Sequence, residues 1–224
     1  MSETTPIEGK KVAPAKSVGV KMPLVDGPEK VSGKASYTAD FIKHNALIGR
    51  ILRSPVAHAE ILNIDTTAAE ALPGVKAVAT GKDFVSPFGV LPIARTEWPL
   101  ARDRVRYRGE PIAAVAAINV ETAQKALDLI EFEYAELPAY FSAEEAIAEG
   151  VTPLHTKRPN NVERHVEYDI GEVDKGFKDA YLICEETYDC AEVCQVQTEP
   201  HAALAAYDGE RDQLTVHATT QVPY

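Results

Sequence analysis

The stretch from Pro111 to Tyr134 constrains the fold more than any other part of this chain. PIAAVAAI is an unbroken apolar run of strand length, and Asn119 follows it in the position of a helix cap. Ala123, Ala126, Leu127 and Ile130 then recur at i, i+3, i+4 and i+7, the stripe of a helix with one buried face. IEFEYAEL returns as a strand. An earlier stretch, AEILNIDTTAAEALPGVKAVAT, has the same grammar. It reads as a strand over Ala59 to Ile64, a cap at Asp65 or Thr66, a short helix, a Pro73-Gly74 stop, and a strand over Val75 to Thr80. Both are read as β-α-β units. With the loop SPFGVLPIARTEWPL between them they imply one domain of roughly a hundred residues.

The flanks are less regular. MSETTPIEGKKVAPAKSVGVK reads as a mobile arm without the apolar core of a secretory signal. PLVDGPEKVSGKASYTADF is punctuated by turn pairs and shows no obvious helix, whereas Ala46 to Ser54 alternates as a strand. After a short helix over Ala143 to Ala148, the Pro- and Asn-rich TPLHTKRPNN is the expected linker. GEVDKGFKDA reads as a turn and short helix, YLICEETYDCAEVCQVQ as strand-like, and ALAAYDGERDQLTVHATT as two strands around Asp208-Gly209. No helix covers these last strands and no closing element follows, so the chain reads as a fragment.

Composition narrows the function classes. A net charge of -11 disfavours a general role on nucleic acid or anionic membranes, and Ile112 to Ile118 is far too short an apolar run to cross a bilayer. A cytoplasmic location follows by default. Three cysteines, Cys184, Cys190 and Cys194, describe neither a disulfide framework nor the short C-x2-C pairs of zinc or iron-sulfur sites. They are expected as buried small apolar residues, and no metal ligand set is assigned. No glycine-rich nucleotide loop, serine nucleophile elbow or C-x-x-C pair is present.

The ordered pieces DGPEKVSGKASYTADF, ILRSPVAHAEIL, LPGVKAV, RVRYRGEPIAAVAA, LHTKRPNNV, GEVDKGF, TEPHAALA and TTQVPY resemble the molybdopterin-binding large subunits of the xanthine dehydrogenase and aldehyde oxidase family. The resemblance implies an α+β chain. An arm and lead-in segment would span 1–32, an α/β hammerhead domain 33–140, a linker 141–159, and the beginning of the first, mixed α/β molybdopterin-binding domain 160–224. Within the family, GVLPIARTEWPLARDRVRYRGEPIAAVAA and ELPAYFSAEEAIAEG are most similar to 4-hydroxybenzoyl-CoA reductase. That likeness implies reductive dehydroxylation of a CoA thioester at a molybdenum-molybdopterin centre, with ferredoxin as donor and iron-sulfur clusters and FAD on partner subunits. It also places the family's catalytic Glu beyond Tyr224. The alternatives are a hydroxylase of the same family acting on an aldehyde or N-heterocycle, and a non-catalytic scaffold or assembly module.

QVQTEPHAALA and TTQVPY supply Gln195, Gln197, Glu199, His201 and Gln221, a dense polar group beside an apolar strand. The resemblance implies that they position cofactor or substrate; the plainer reading is a buried Glu and His that fix strand geometry. Arg102, Arg104, Arg106 and Arg108 alternate, so a strand would put all four on one face. They read either as a site for CoA phosphates or an acidic partner, or as a solvated face paired with Asp103 and Glu110. Trp98 and Phe88 are candidate subunit contacts or simple packing, and His44, His58, His155, His165 and His217 show no ligand spacing.

Overall fold

The computed structural model describes residues 19, 21–90 and 95–221. Most of the expected arm lies outside the described residues. In chain order the elements are α1 (Gly27–Ser32), β1 (Ile48–Arg53), β2 (Ala59–Asp65), α2 (Thr67–Glu70), β3 (Val75–Thr80), β4 (Arg104–Val105), β5 (Pro111–Ala117), α3 (Val120–Asp128), β6 (Glu131–Glu136), α4 (Ala143–Ile147), α5 (Val173–Asp179), β7 (Ala203–Asp208) and β8 (Gln213–Ala218). They fall into two units. The larger contains Lys43–Gln195; the smaller joins residues up to Ile42 with Val196–Gln221.

In the larger unit β5 is the central strand of a sheet ordered β1-β5-β3, and a second sheet is ordered β4-β2-β6. The alanines of β5 let α3 lie close. Ala123, Ala126 and Leu127 pack with Ala113, Val115 and Ala117 in one buried cluster that also takes in Ala69 and Ile130. Burying Val115 and Leu127 stabilises by about 1.5–3 kcal/mol each. Asn119 caps α3 as expected, its side-chain oxygen accepting from Thr122 N at 2.8 Å. A second cluster, Ala101, Val105 and Ile112, spans both sheets and is flanked by Ile61 from β2 and Phe132 from β6.

Between Ala46 and Tyr134 the strands and helices read from periodicity are present, but the two β-α-β units do not exist as such. β2 and β3 lie in different sheets, as do β5 and β6, and every strand pair is antiparallel among the described residues. Length explains the first case. A four-residue α2 rises about 6 Å, whereas returning alongside a seven-residue strand needs about 23 Å. In the second, β1 and β3 already occupy both edges of β5, so β6 pairs with β2 instead.

Three further expectations are corrected. The lead-in segment does contain a helix, α1, which starts at Gly27-Pro28 and ends on Gly33 in the left-handed conformation. The strand-like segment 181–197 pairs with nothing among the described residues, because strand propensity makes a strand only where an edge is available. Its cysteines, Cys184, Cys190 and Cys194, are accordingly exposed thiols rather than buried ones.

The expected linker is held to its surroundings. Thr152 N donates to Tyr140 Oη at 2.8 Å, and Asn161, at φ +56°, accepts from Leu154 N and donates to Ala146 O, both at 2.8 Å. In the smaller unit β7 and β8 form a hairpin with register Ala203↔Ala218 to Asp208↔Gln213.

Candidate functional site

The smaller unit assembles three distant motifs around Glu199. A 3-10 turn over Thr38–Phe41 presents the Thr38 amide, which donates to Glu199 Oε1 at 3.0 Å. Thr38 Oγ1 and Thr219 Oγ1 share a hydrogen bond at 3.1 Å, and the Phe41 ring stacks on His217 at 4.6 Å between centroids. His201 Nδ1 lies 3.1 Å from Thr219 O. Fixing imidazole and threonine together, these bonds tie TADF, TEPHA and TTQ into one constellation.

A cavity of about 680 Å³ opens beside it, lined by Lys30, Tyr37, Thr198, Glu199 and Pro200. The Thr38 amide is the main influence holding the Glu199 carboxyl below its ordinary value, against an opposing desolvation. Glu199 is therefore an ionised anchor at neutral pH, with its charge directed at a backbone donor. Lys30 is paired with Asp26 at 2.6 Å.

Of the five polar candidates, Glu199 and His201 both bond within this constellation. Gln197 and Gln221 belong to the same unit, but both are exposed and make no hydrogen bond among the described residues. Gln195 falls in the larger unit. His201 is exposed and Glu199 half-buried, so the pair is not the enclosed one of the plainer reading. Sequence reasoning does not single out Thr38, Thr219 or the Phe41–His217 stack; the threonine pair in TTQ is the one signal that points to them.

The arginines do not form a stripe, because only Arg104–Val105 is strand. Arg102 packs over the Trp98 ring at 5.2 Å and donates to Phe84 O at 3.3 Å, which covers one face of that half-buried indole. Arg104 Nη1 donates to Pro153 O at 2.8 Å and Arg106 Nε to Leu154 O at 3.0 Å. Arg108 is exposed. The expected pairing with Asp103 and Glu110 is replaced: Glu110 accepts the Arg106 backbone N–H, and burial raises its carboxyl above its ordinary value. Phe88 stays about half exposed, bridged through its backbone to Glu97.

His58 is buried, with Nδ1 donating to Pro138 O, while His44 and His165 are exposed. Among the described residues no group of three His, Cys, Asp or Glu side chains could hold a metal ion directly. No helix among them is long and apolar enough to cross a membrane.

Two antiparallel three-stranded sheets, one of them covered by α3, together with a separate hairpin-bearing unit define an α+β class of chain. Residues 32–138 match the aldehyde oxidase and xanthine dehydrogenase a/b hammerhead domain, and residues 154–224 match the molybdopterin cofactor-binding domain. The chain belongs to the xanthine dehydrogenase and aldehyde oxidase family, as part of a molybdopterin-binding large subunit. It is 37% identical to the nicotinate dehydrogenase large molybdopterin subunit of Eubacterium barkeri, over 89% of this chain and 46% of that protein. It is 30% identical to the nicotine 6-hydroxylase large subunit of Paenarthrobacter nicotinovorans, over 92% of this chain and 26% of that one. Among solved structures, quinoline 2-oxidoreductase from Pseudomonas putida 86 superposes with a TM-score of 0.78 at 31% identity, covering 93% of this chain and 27% of that chain. The chain thus spans less than half the length of these relatives.

Proposed function

We propose that this chain is the leading part of the molybdenum-cofactor subunit of a multi-subunit hydroxylase acting on an N-heterocycle or an aldehyde. The observation that carries the reading is the match across both domains to nicotinate dehydrogenase, with quinoline 2-oxidoreductase sharing the fold. Both names describe oxidation of a nitrogen heterocycle. In such a reaction a carbon-bound hydrogen is replaced by a hydroxyl whose oxygen comes from water, releasing two electrons and two protons. The electrons would leave through iron-sulfur and FAD partner subunits.

The residues present fit a cofactor that brings its own metal. Gln195, Gln197 and Gln221 offer neutral amides able both to donate and to accept, which suits hydrogen bonding to a pterin edge. Bound, the molybdenum-molybdopterin would supply the two-electron chemistry, while protein groups orient it and the substrate. Glu199, through Thr38, and His201, through Thr219, act as positioning residues that hold the start of β7. Of the four alternating arginines, Arg108 is the exposed one and is left to meet an acidic partner surface or a phosphate.

Reductive dehydroxylation of 4-hydroxybenzoyl-CoA is the second reading, favoured by the likeness of the segment around GVLPIARTEWPLARDRVRYRGEP. The two are separated by assaying the intact complex. The expected result is oxidation of a nicotinate, quinoline or aldehyde panel member with ¹⁸O from labelled water in the product. Benzoyl-CoA formed from 4-hydroxybenzoyl-CoA and a reduced donor, with no oxidation of the panel, overturns the hydroxylase reading.

A further inference from the structure

We propose that Thr38 is a cross-tie that fixes the separation of Gln197 and Gln221, so that these two exposed amides bracket one edge of the bound molybdenum cofactor. The proposal rests on the function proposed above and names a further positioning residue for it. The β7–β8 ladder ends at Ala203↔Ala218, and one more backbone bond, from Thr219 N to Ala202 O at 2.9 Å, follows it. From there one arm runs back through His201 and Glu199 to Gln197, and the other runs forward through Thr219 and Thr220 to Gln221. A hairpin frays where its ladder stops, so the spacing of the two arms needs another constraint.

Thr38 supplies it by holding both arms at once. Its backbone N–H donates to Glu199 Oε1 at 3.0 Å on one arm, and its hydroxyl shares a hydrogen bond with Thr219 Oγ1 at 3.1 Å on the other. The Thr219 carbonyl accepts from His201 Nδ1 at 3.1 Å, so the amide, carbonyl and hydroxyl of Thr219 are all engaged. Each tied residue lies two positions from an exposed glutamine, Glu199 from Gln197 and Thr219 from Gln221. Two residues of extended chain span only about 7 Å, which keeps both amides close to the tie.

The tie is itself fixed. Thr38 is 9% exposed and opens a 3-10 turn. Tyr37, just before it, donates its N–H to Asp40 Oδ2 at 2.8 Å and accepts from Asp40 N at 2.9 Å. At the other end of the turn Phe41 stacks on His217 with 8° between the ring planes, which anchors the turn to β8. Valine has the branched shape of threonine without its hydroxyl, so Thr38→Val cuts the bond to Thr219 and keeps the N–H to Glu199.

The test compares the intact complex carrying Thr38→Val with one carrying Thr38→Ser, which keeps the hydroxyl and drops the methyl. Molybdenum content, the EPR line shape of molybdenum after chemical reduction without substrate, and the split between kcat and KM are measured. The expected result for Thr38→Val is an altered line shape or a severalfold lower molybdenum content, with kcat per molybdenum about tenfold lower and KM little changed, all restored by Thr38→Ser. A Thr38→Val complex with wild-type content and line shape overturns the tie, as does a Thr38→Ser complex altered as much as Thr38→Val. Where Thr38→Val does not assemble, Thr219→Val cuts the same bond from the other arm and is judged by the same criteria. A wild-type complex that holds molybdenum yet oxidises no member of the panel defeats the hydroxylase reading alone, because the line shape needs no turnover. A wild-type complex without molybdenum overturns both.

Discussion

Gly81 is where the structure leaves no room for a methyl group. A Cβ there would stand 2.3 Å from Ala101 O, 2.6 Å from Arg102 Cα and 2.7 Å from Ala101 C. Carbon atoms rest about 3.5–4.0 Å apart, so Gly81→Ala requires the opposing backbone to retreat by roughly 1 Å. That backbone is pinned, since Ala101 is 1% exposed and its N–H donates to Pro111 O at 2.7 Å, at the head of β5. Overpacking a core costs about 1–3 kcal/mol, and a clash with backbone belongs at the upper end, about 3 kcal/mol. At about 2–4 °C per kcal/mol for a domain of this size, the melting temperature falls by about 6–12 °C. The single tryptophan, Trp98, lies under Arg102 and reports the displacement through its fluorescence. Gly49→Ala, in β1, meets nothing within 4 Å and is the matched control, expected within about 1 kcal/mol of wild type. A Gly81→Ala protein that melts within about 2 °C of wild type with unchanged Trp98 emission would refute the close approach.

Asn119→Ala removes the side-chain cap of α3 and is expected to cost about 1 kcal/mol in thermal or urea unfolding, with Asn119→Asp keeping most of it. Leu127→Ala, which hollows the cluster under α3, should cost about 2–5 kcal/mol in the same measurement. Glu110→Gln tests electrostatics. Burial raises the Glu110 carboxyl above its ordinary 4.5, so the folded chain holds that proton more tightly than the unfolded one. Its contribution is greatest below about 4.5 and is lost as pH rises through the folded value. The glutamine keeps an oxygen for the Arg106 N–H, so the variant gains on wild type between pH 4 and 7 in urea midpoints. A difference that does not change with pH would count against this account.

The pieces of this fold that are legible in the sequence are those governed by near neighbours. The α3 stripe, the Asn119 cap and the Pro73-Gly74 stop are local chemistry, and each stands where its residues predict. Sheet partition is different, because alternation tells a strand which face to bury but not which edge to join. Hence β2 and β3, adjacent in sequence, read as partners and are not. The arginines mislead for a related reason. Their acceptors are main-chain carbonyls 48 and 49 residues away, and a carbonyl carries no side-chain signature.

The same logic explains why motif order is so informative. Thr38 and Glu199 are 161 residues apart, and Thr38 and Thr219 are 181 apart. No periodicity links TADF, TEPHA and TTQ, yet each supplies one member of a single hydrogen-bonded set. Losing a side chain would strand its partner: without Glu199 the Thr38 amide of the 3-10 turn loses its acceptor, and without the Thr219 hydroxyl the Thr38 hydroxyl loses its partner. Three short strings that are individually weak therefore become diagnostic together, because they are the sequence trace of one constraint. Glu199 and His201 belong to that set, whereas Gln195, Gln197 and Gln221 make no hydrogen bond among the described residues, so no such constraint marks them.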